Sequence, residues 1–180
     1  MGLLSILRKM RGKDKKESRV LFLGLDNSGK TTLLKFIAGE TPDRVQPTEG
    51  FNVKSVQKND VQLNMWDIGG QKKIRLYWKQ YLKETDVLVY VVDSSDDKRL
   101  DESGQEFNDL LLYDELVNVP VLVFANKQDL SFAKPPSEVA DRLGLLSLHD
   151  RSFQIQPCSA LTGEGVQDGM EWALKAVGSK

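Results

Sequence analysis

One cysteine and one histidine among 180 residues remove two kinds of chemistry before any motif is read. Cys158 has no second thiol to pair with, so the chain holds no internal disulfide, which fits a reducing, cytoplasmic compartment. His149 is equally alone, which leaves no His/Cys cluster for a metal and reads as a surface or loop residue. No apolar stretch reaches the ~20 residues that cross a bilayer, and Val177-Gly178-Ser179-Lys180 carries no prenylation box. A net charge of −1 gives no general attraction to nucleic acid. No repeat, linker or low-complexity segment divides the chain, and 40% hydrophobic with 28% charged residues reads as one soluble globular domain.

The charge is unevenly placed. Met1 to Met10 puts Leu3, Leu7 and Met10 on one helical face, with Leu4 and Ile6 beside it, and basic residues run on through Arg11, Lys13, Lys15, Lys16 and Arg19. Residues 1–17 therefore read as an amphipathic helix with a basic connector, ahead of a domain spanning 18–180. Such a segment suits peripheral contact with a membrane or a partner groove, or permanent packing on the domain; the sequence leaves both open. The apolar part is too short for a signal peptide. Ile6 stands where a myristoylation motif wants Ser or Thr, so no lipid is expected on Gly2.

The densest signal is Gly24-Leu25-Asp26-Asn27-Ser28-Gly29-Lys30-Thr31. It lies between the apolar run 19–23 and a helical pattern over 32–38. Strand, glycine-bounded loop and helix in that order predict a phosphate cradle. Backbone N–H groups from Gly24 to Thr32 and the helix N-terminus face the phosphates, Lys30 reaches the terminal ones, and the Thr31 hydroxyl suits Mg²⁺. The loop alone does not separate a kinase, an ATPase and a GTPase.

Two strands, 51–56 and 61–66, flank a turn, and the second runs into Asp67-Ile68-Gly69-Gly70-Gln71. A carboxylate there can hold Mg²⁺ through water, the N–H of Gly70 can meet a terminal phosphate, and Gln71 can orient an attacking water. Residues 72–83 are polar and aromatic, and Tyr77, Trp78 and Tyr81 suit either a core or exposed partner anchors. The run 86–93 reads as a strand covered on both faces, and 100–116 as a helix with Phe107, Leu110 and Leu111 on its stripe. A strand over 119–124 follows, then a short helix over 137–143 and a last strand over 153–156. A final helix carries Val166, Met170, Ala173 and Val177 on one side.

Asn126-Lys127-Gln128-Asp129 closes the fifth of these strands. The Asp129 carboxylate can accept both N1–H and N2–H₂ of guanine, a pair that adenine does not offer. The Lys127 stem can cover the base, the Asn126 amide can tie loops together, and a backbone N–H at Ser159-Ala160 can meet the guanine carbonyl. This tetrad argues against an ATP-using kinase. A guanine-nucleotide module that never turns over stays the alternative, which Gln71 speaks against.

With the loop at 24–31, Pro47-Thr48, Asp67 to Gln71, Asn126 to Asp129 and Ser159-Ala160 in this order, the whole domain resembles a Ras-superfamily small GTPase. Gly-Leu-Asp-Asn-x-Gly-Lys-Thr-Thr, Trp66-Asp67-Ile68-Gly69-Gly70-Gln71 and the amphipathic start are similar to the Arf/Arf-like branch. The resemblance implies an α/β, three-layer P-loop domain with a six-stranded, mostly parallel sheet and one antiparallel edge strand. It implies GTP/GDP and Mg²⁺ as ligands. Thr48 would close on the ion and the terminal phosphate, and Gln71, Lys30 and Thr48 would be catalytic. It further implies β-sandwich effectors that carry lipid-modified proteins to cilia, a GTPase-activating protein of the tubulin-cofactor-C-like type, and another Arf-like GTPase as exchange factor. Glu49 departs from the branch by placing a charge beside Thr48, and Ser28 replaces a common alanine. Gln46 and Pro47, not arginine, precede Thr48, so slow unaided hydrolysis is expected.

Overall fold

The computed structural model describes residues 17–40, 50–58 and 61–177. The expected N-terminal helix, Thr48 and Glu49 lie outside the described residues.

Alternation along the first strand, β1 (Glu17–Leu23), sets the layers. Successive side chains of a strand point to opposite faces. Val20 and Phe22 accordingly join a core with Leu33, Leu34, Met170 and Leu174. Leu21 and Leu23 join a second with Phe107, Leu110, Val139 and Leu143. Helices α1 (Lys30–Ile37) and α5 (Val166–Val177) cover the first face. Helices α3 (Leu100–Leu110) and α4 (Pro136–Leu143) cover the second. Between them lie β2 (Phe51–Lys58), β3 (Val61–Ile68), β4 (Val87–Asp93), β5 (Val121–Asn126) and β6 (Phe153–Pro157). The sheet order is β2-β3-β1-β4-β5-β6, and only the β2–β3 pairing is antiparallel.

β1 has β3 on one side and β4 on the other, so the chain direction across the sheet reverses there. Ligands in open parallel sheets collect at the carboxyl ends of strands beside such a reversal. The registers bring the functional ends level. Phe22 pairs with Asp67, Asp93 with Asn126 and Ala125 with Pro157.

Two expectations change. Asp67 is inside β3 rather than past its end, because β3 pairs with β1 as far as this residue. The helix expected over 100–116 stops at Leu110, and a 3₁₀ turn over Asp114–Leu116 follows. Seven residues after buried Phe107, a continued helix would carry Asp114 onto the same face. The break keeps Leu116 buried instead. The aromatic stretch divides: Trp78 is buried, Tyr77 is exposed, and Tyr81 packs at 5.7 Å from the exposed ring of Phe51. Among the described residues, no helix is long and apolar enough to cross a membrane.

Candidate functional site

The chain leaves β1 into the loop 24–29 and turns at once into α1, and what surrounds that loop explains its glycines. Gly29 has φ 99°, and a Cβ there would lie 2.2 Å from Asn126 Nδ2. Gly70 comes as close from the other side. A Cβ on it would sit 2.3 Å from the Gly24 carbonyl oxygen and 2.4 Å from the Asp26 nitrogen. A larger residue at Gly29 would displace the Asn126 amide, and one at Gly70 would push the loop backbone away.

Lys30 begins α1 and is buried, with its ammonium donating to the carbonyls of Gly24 and Leu25, each at 2.9 Å. Burial lowers its pKa to about 8, against the opposing pull of Asp67 and Asp26. A buried ammonium resting on two neutral carbonyls is poorly compensated, and phosphate oxygens would stabilise its charge. Thr31 donates its hydroxyl to Asp67 Oδ2 at 2.6 Å, and Asp67 is fully buried. Two oxygen groups from α1 and β3 thus meet beneath the loop.

The base-side loops are tied by one amide. Asn126 Nδ2 donates to the Ser28 carbonyl at 2.9 Å, while its Oδ1 accepts the Ala160 N–H at 2.9 Å and the Cys158 thiol at 3.5 Å. Lys127 donates to the Asn27 carbonyl at 2.7 Å and pairs with Asp93 at 2.8 Å. Asp129 Oδ1 accepts the Ser159 hydroxyl at 2.8 Å. Burial pushes the Cys158 thiol up, so it stays protonated and serves packing rather than chemistry.

Gln71 precedes the single-turn helix α2 (Lys72–Arg75), where its carbonyl accepts the N–H groups of Ile74 and Arg75. Its side-chain Oε1 is buried and has no hydrogen-bond partner among the described residues. Sequence reading passed over what holds this turn. Trp78 Nε1 donates to the Gly69 carbonyl at 2.9 Å. Arg75 donates to the Gly70 carbonyl at 2.7 Å, to Glu102 at 2.7 Å, to Glu106 at 3.1 Å and to Asp26 at 3.4 Å. Arg99 reaches Asp26 Oδ1 at 2.6 Å. The Arg75 guanidinium in turn holds the Glu102 carboxyl below its ordinary pKa. The available signal was the four-residue spacing of Glu102 and Glu106, which puts both on one helix face.

Ser28 is buried, and its hydroxyl finds no partner among the described residues. An unpaired buried hydroxyl costs about 1–3 kcal/mol. Ser28→Ala is therefore expected to raise stability by about 1 kcal/mol, or roughly 2–4 °C in Tm for a domain of this size. Thermal unfolding at one fixed nucleotide concentration measures it, and a lower Tm would mean the hydroxyl is satisfied in solution.

The sheet edge thus gathers the loop 24–31, Asp67, Gly70, Gln71, Asn126, Lys127, Asp129, Ser159 and Ala160, while Thr48 lies outside the described residues. Residues 3–177 match the model of the ADP-ribosylation factor family. The chain is 54% identical over 180 residues to ADP-ribosylation factor-like protein 3 of Pongo abelii, covering 100% of this chain and 99% of that one. It is 51% identical over 177 residues to the protein of the same name from Chlamydomonas reinhardtii, with 98% and 99% covered. Among solved structures, the Arl6 BBS3 small GTPase from Trypanosoma brucei with bound nucleotide analogue GppNp superposes with a TM-score of 0.84. That match is 33% identical and covers 91% of this chain and 98% of the other. A loop, a sheet edge and a whole-length likeness all agree: the chain belongs to the ADP-ribosylation factor family and is a small GTPase, a nucleotide-binding switch.

Proposed function

We propose that the chain is a Mg²⁺-dependent, GTP-hydrolysing switch whose GTP-bound form releases lipid-modified cargo from β-sandwich carriers in ciliary and membrane trafficking. The observation that carries this reading is the convergence at one sheet edge of a phosphate loop, the Thr31–Asp67 oxygen pair, Gln71 and the Asp129 loop. The cargo and the cilium are what the sequence's resemblance to the Arf-like branch implies.

The donor set fits a hard cation. Thr31 would hold Mg²⁺ directly and Asp67 through water, and both offer oxygen, the atom this ion prefers. Among the described residues no group of three or more His, Cys, Asp or Glu could hold a metal, so most ligands would come from phosphate and water. When bound, Mg²⁺ supplies positive charge to the terminal phosphates. Lys30 adds a second positive charge from below, and the Gln71 amide orients the attacking water.

Hydrolysis without help is slow in this reading. Four of the five N–H groups of Arg75 are engaged, and Arg99 is held by Asp26 and Glu102. Neither is free to stabilise a transferring phosphoryl group. The arginine would come from an activating protein of the tubulin-cofactor-C-like type, and exchange from another Arf-like GTPase. Phe51, Trp66 and Tyr81 form an aromatic cluster with ring centroids 5.6–6.4 Å apart. Phe51 is 53% exposed, which supports a partner-binding face on this hairpin. Residues 1–17 would supply peripheral membrane contact.

The test uses a carrier loaded with a fluorescent lipidated peptide. The full chain bound to a non-hydrolysable GTP analogue is expected to displace the peptide, seen as a fall in polarisation, while the GDP form leaves it bound. Equal displacement by both forms, or none, would remove cargo release from the account.

A further inference from the structure

The best-connected side chain at this edge is not in the phosphate loop. Arg75 is buried, 5% exposed along its side chain, and three half-exposed carboxylates surround it. Glu102 and Glu106 lie one turn apart on α3, which is fixed in the second core by Leu100, Phe107 and Leu110. Asp26 belongs to the phosphate loop and is shared with Arg99, which also donates to the Asp26 carbonyl at 3.2 Å. The remaining acceptor is the Gly70 carbonyl, taken by Nε at 2.7 Å.

That last bond decides an orientation. In a trans peptide the carbonyl and the following N–H point in opposite directions. Trp78 holds the Gly69 carbonyl, so the Gly70 N–H is turned away from Trp78. Arg75 holds the Gly70 carbonyl, so the peptide entering Gln71 is fixed in the same manner. Gly70 is at the same time pressed against Gly24 and Asp26. A turn with two glycines has no stiffness of its own. Its geometry comes from these two side chains and from the α3 carboxylates behind one of them.

We propose that Arg75 is a positioning residue. Braced on Glu102 and Glu106, it locks the Gly70–Gln71 peptide against Asp26 of the phosphate loop, so that the turn is ordered to receive the terminal phosphate of GTP and to hold Gln71 for hydrolysis. This rests on the functional reading above and adds the residue that sets the turn. A lysine cannot replace it, because one ammonium cannot bridge the Gly70 carbonyl, α3 and Asp26 in a planar fork.

The experiment measures, on the full chain, affinity for GDP and for a non-hydrolysable GTP analogue, together with single-turnover GTP hydrolysis. Arg75→Ala and Arg75→Lys are both expected to lose about 10-fold or more in affinity for the analogue relative to GDP, the order of one charge-assisted hydrogen bond. Hydrolysis should fall by about the same factor. The Glu102→Gln, Glu106→Gln double variant keeps every side-chain size and should shift the ratio in the same direction, which guards against a fold effect of removing Arg75. In a Gln71→Leu background, Arg75→Ala should lower hydrolysis no further, because it acts through Gln71. An unchanged analogue-to-GDP ratio in all three variants, or equal weakening of both nucleotides, would reduce Arg75 to a structural tie and overturn the proposal. If the wild-type chain hydrolyses no GTP, the functional reading fails in its turnover, while the affinity ratio still decides the role of Arg75 in phosphate sensing.

Discussion

Asp129→Asn is expected to lower affinity for GTP by about 10⁴-fold or more and to make xanthosine triphosphate the preferred nucleotide. The carboxylate follows β5 and is held by the Ser159 hydroxyl on Oδ1, which aims it from a fixed loop. Guanine presents N1–H and N2–H₂ side by side, and a carboxylate accepts both. An asparagine offers one acceptor and one donor, so its NH₂ meets a guanine donor with no acceptor between them. Sites built around a substrate's hydrogen bonds reject analogues that break them by roughly 10⁴–10⁵. Xanthine replaces the amino group by an oxygen and so fits the amide. The asparagine retains an oxygen for Ser159, so the loop is expected to stay folded. Competition against a fluorescent guanine nucleotide reads both affinities. GTP binding within a few-fold of wild type would mean that Asp129 does not read the base.

The second large effect falls on turnover. Gln71→Leu is expected to bind GTP normally, to lower the unaided rate, itself of the order of 10⁻⁴ s⁻¹ or below in the wild-type chain, at least as far as Arg75→Ala does, and to lose the roughly 10³- to 10⁵-fold gain from an activating protein. The turn itself survives, because Gln71 supports α2 through its backbone carbonyl. What disappears is a side-chain amide whose Oε1 is buried without a partner among the described residues, the group that would orient water. Single-turnover phosphate release with a candidate activating protein measures the loss. Full stimulation of the leucine variant would take the water-orienting role from Gln71.

Much of the fold was legible because its physics is local. The apolar run 19–23 lies in strand β1, and its alternate residues divide between the two cores. The stripe Val166, Met170, Ala173 and Val177 is buried in α5 as its spacing implied. The helix after Arg99 is shorter than its stripe of Phe107, Leu110 and Leu111, carried on to Leu116, suggests, because the seventh position beyond Phe107 is Asp114. Motif spacing put the phosphate loop and the Asp129 loop at strand ends, and sheet order brought those ends together. The Arg75 cluster was not legible. Its acceptors Asp26, Gly70, Glu102 and Glu106 come from three separate segments, and nothing periodic in 72–83 marks the arginine as buried. Only the packing of α3 beside the phosphate loop creates that site. Thr48 and residues 1–16 lie outside the described residues.

The central claim is that these strand ends grip a guanine nucleotide. It is tested most directly by purifying the full chain in Mg²⁺-containing buffer, unfolding it, and identifying the released small molecule by mass. GDP or GTP, close to one per chain, is the predicted result. An adenine nucleotide, or a folded chain that releases none and binds none on addition of GTP, would contradict it.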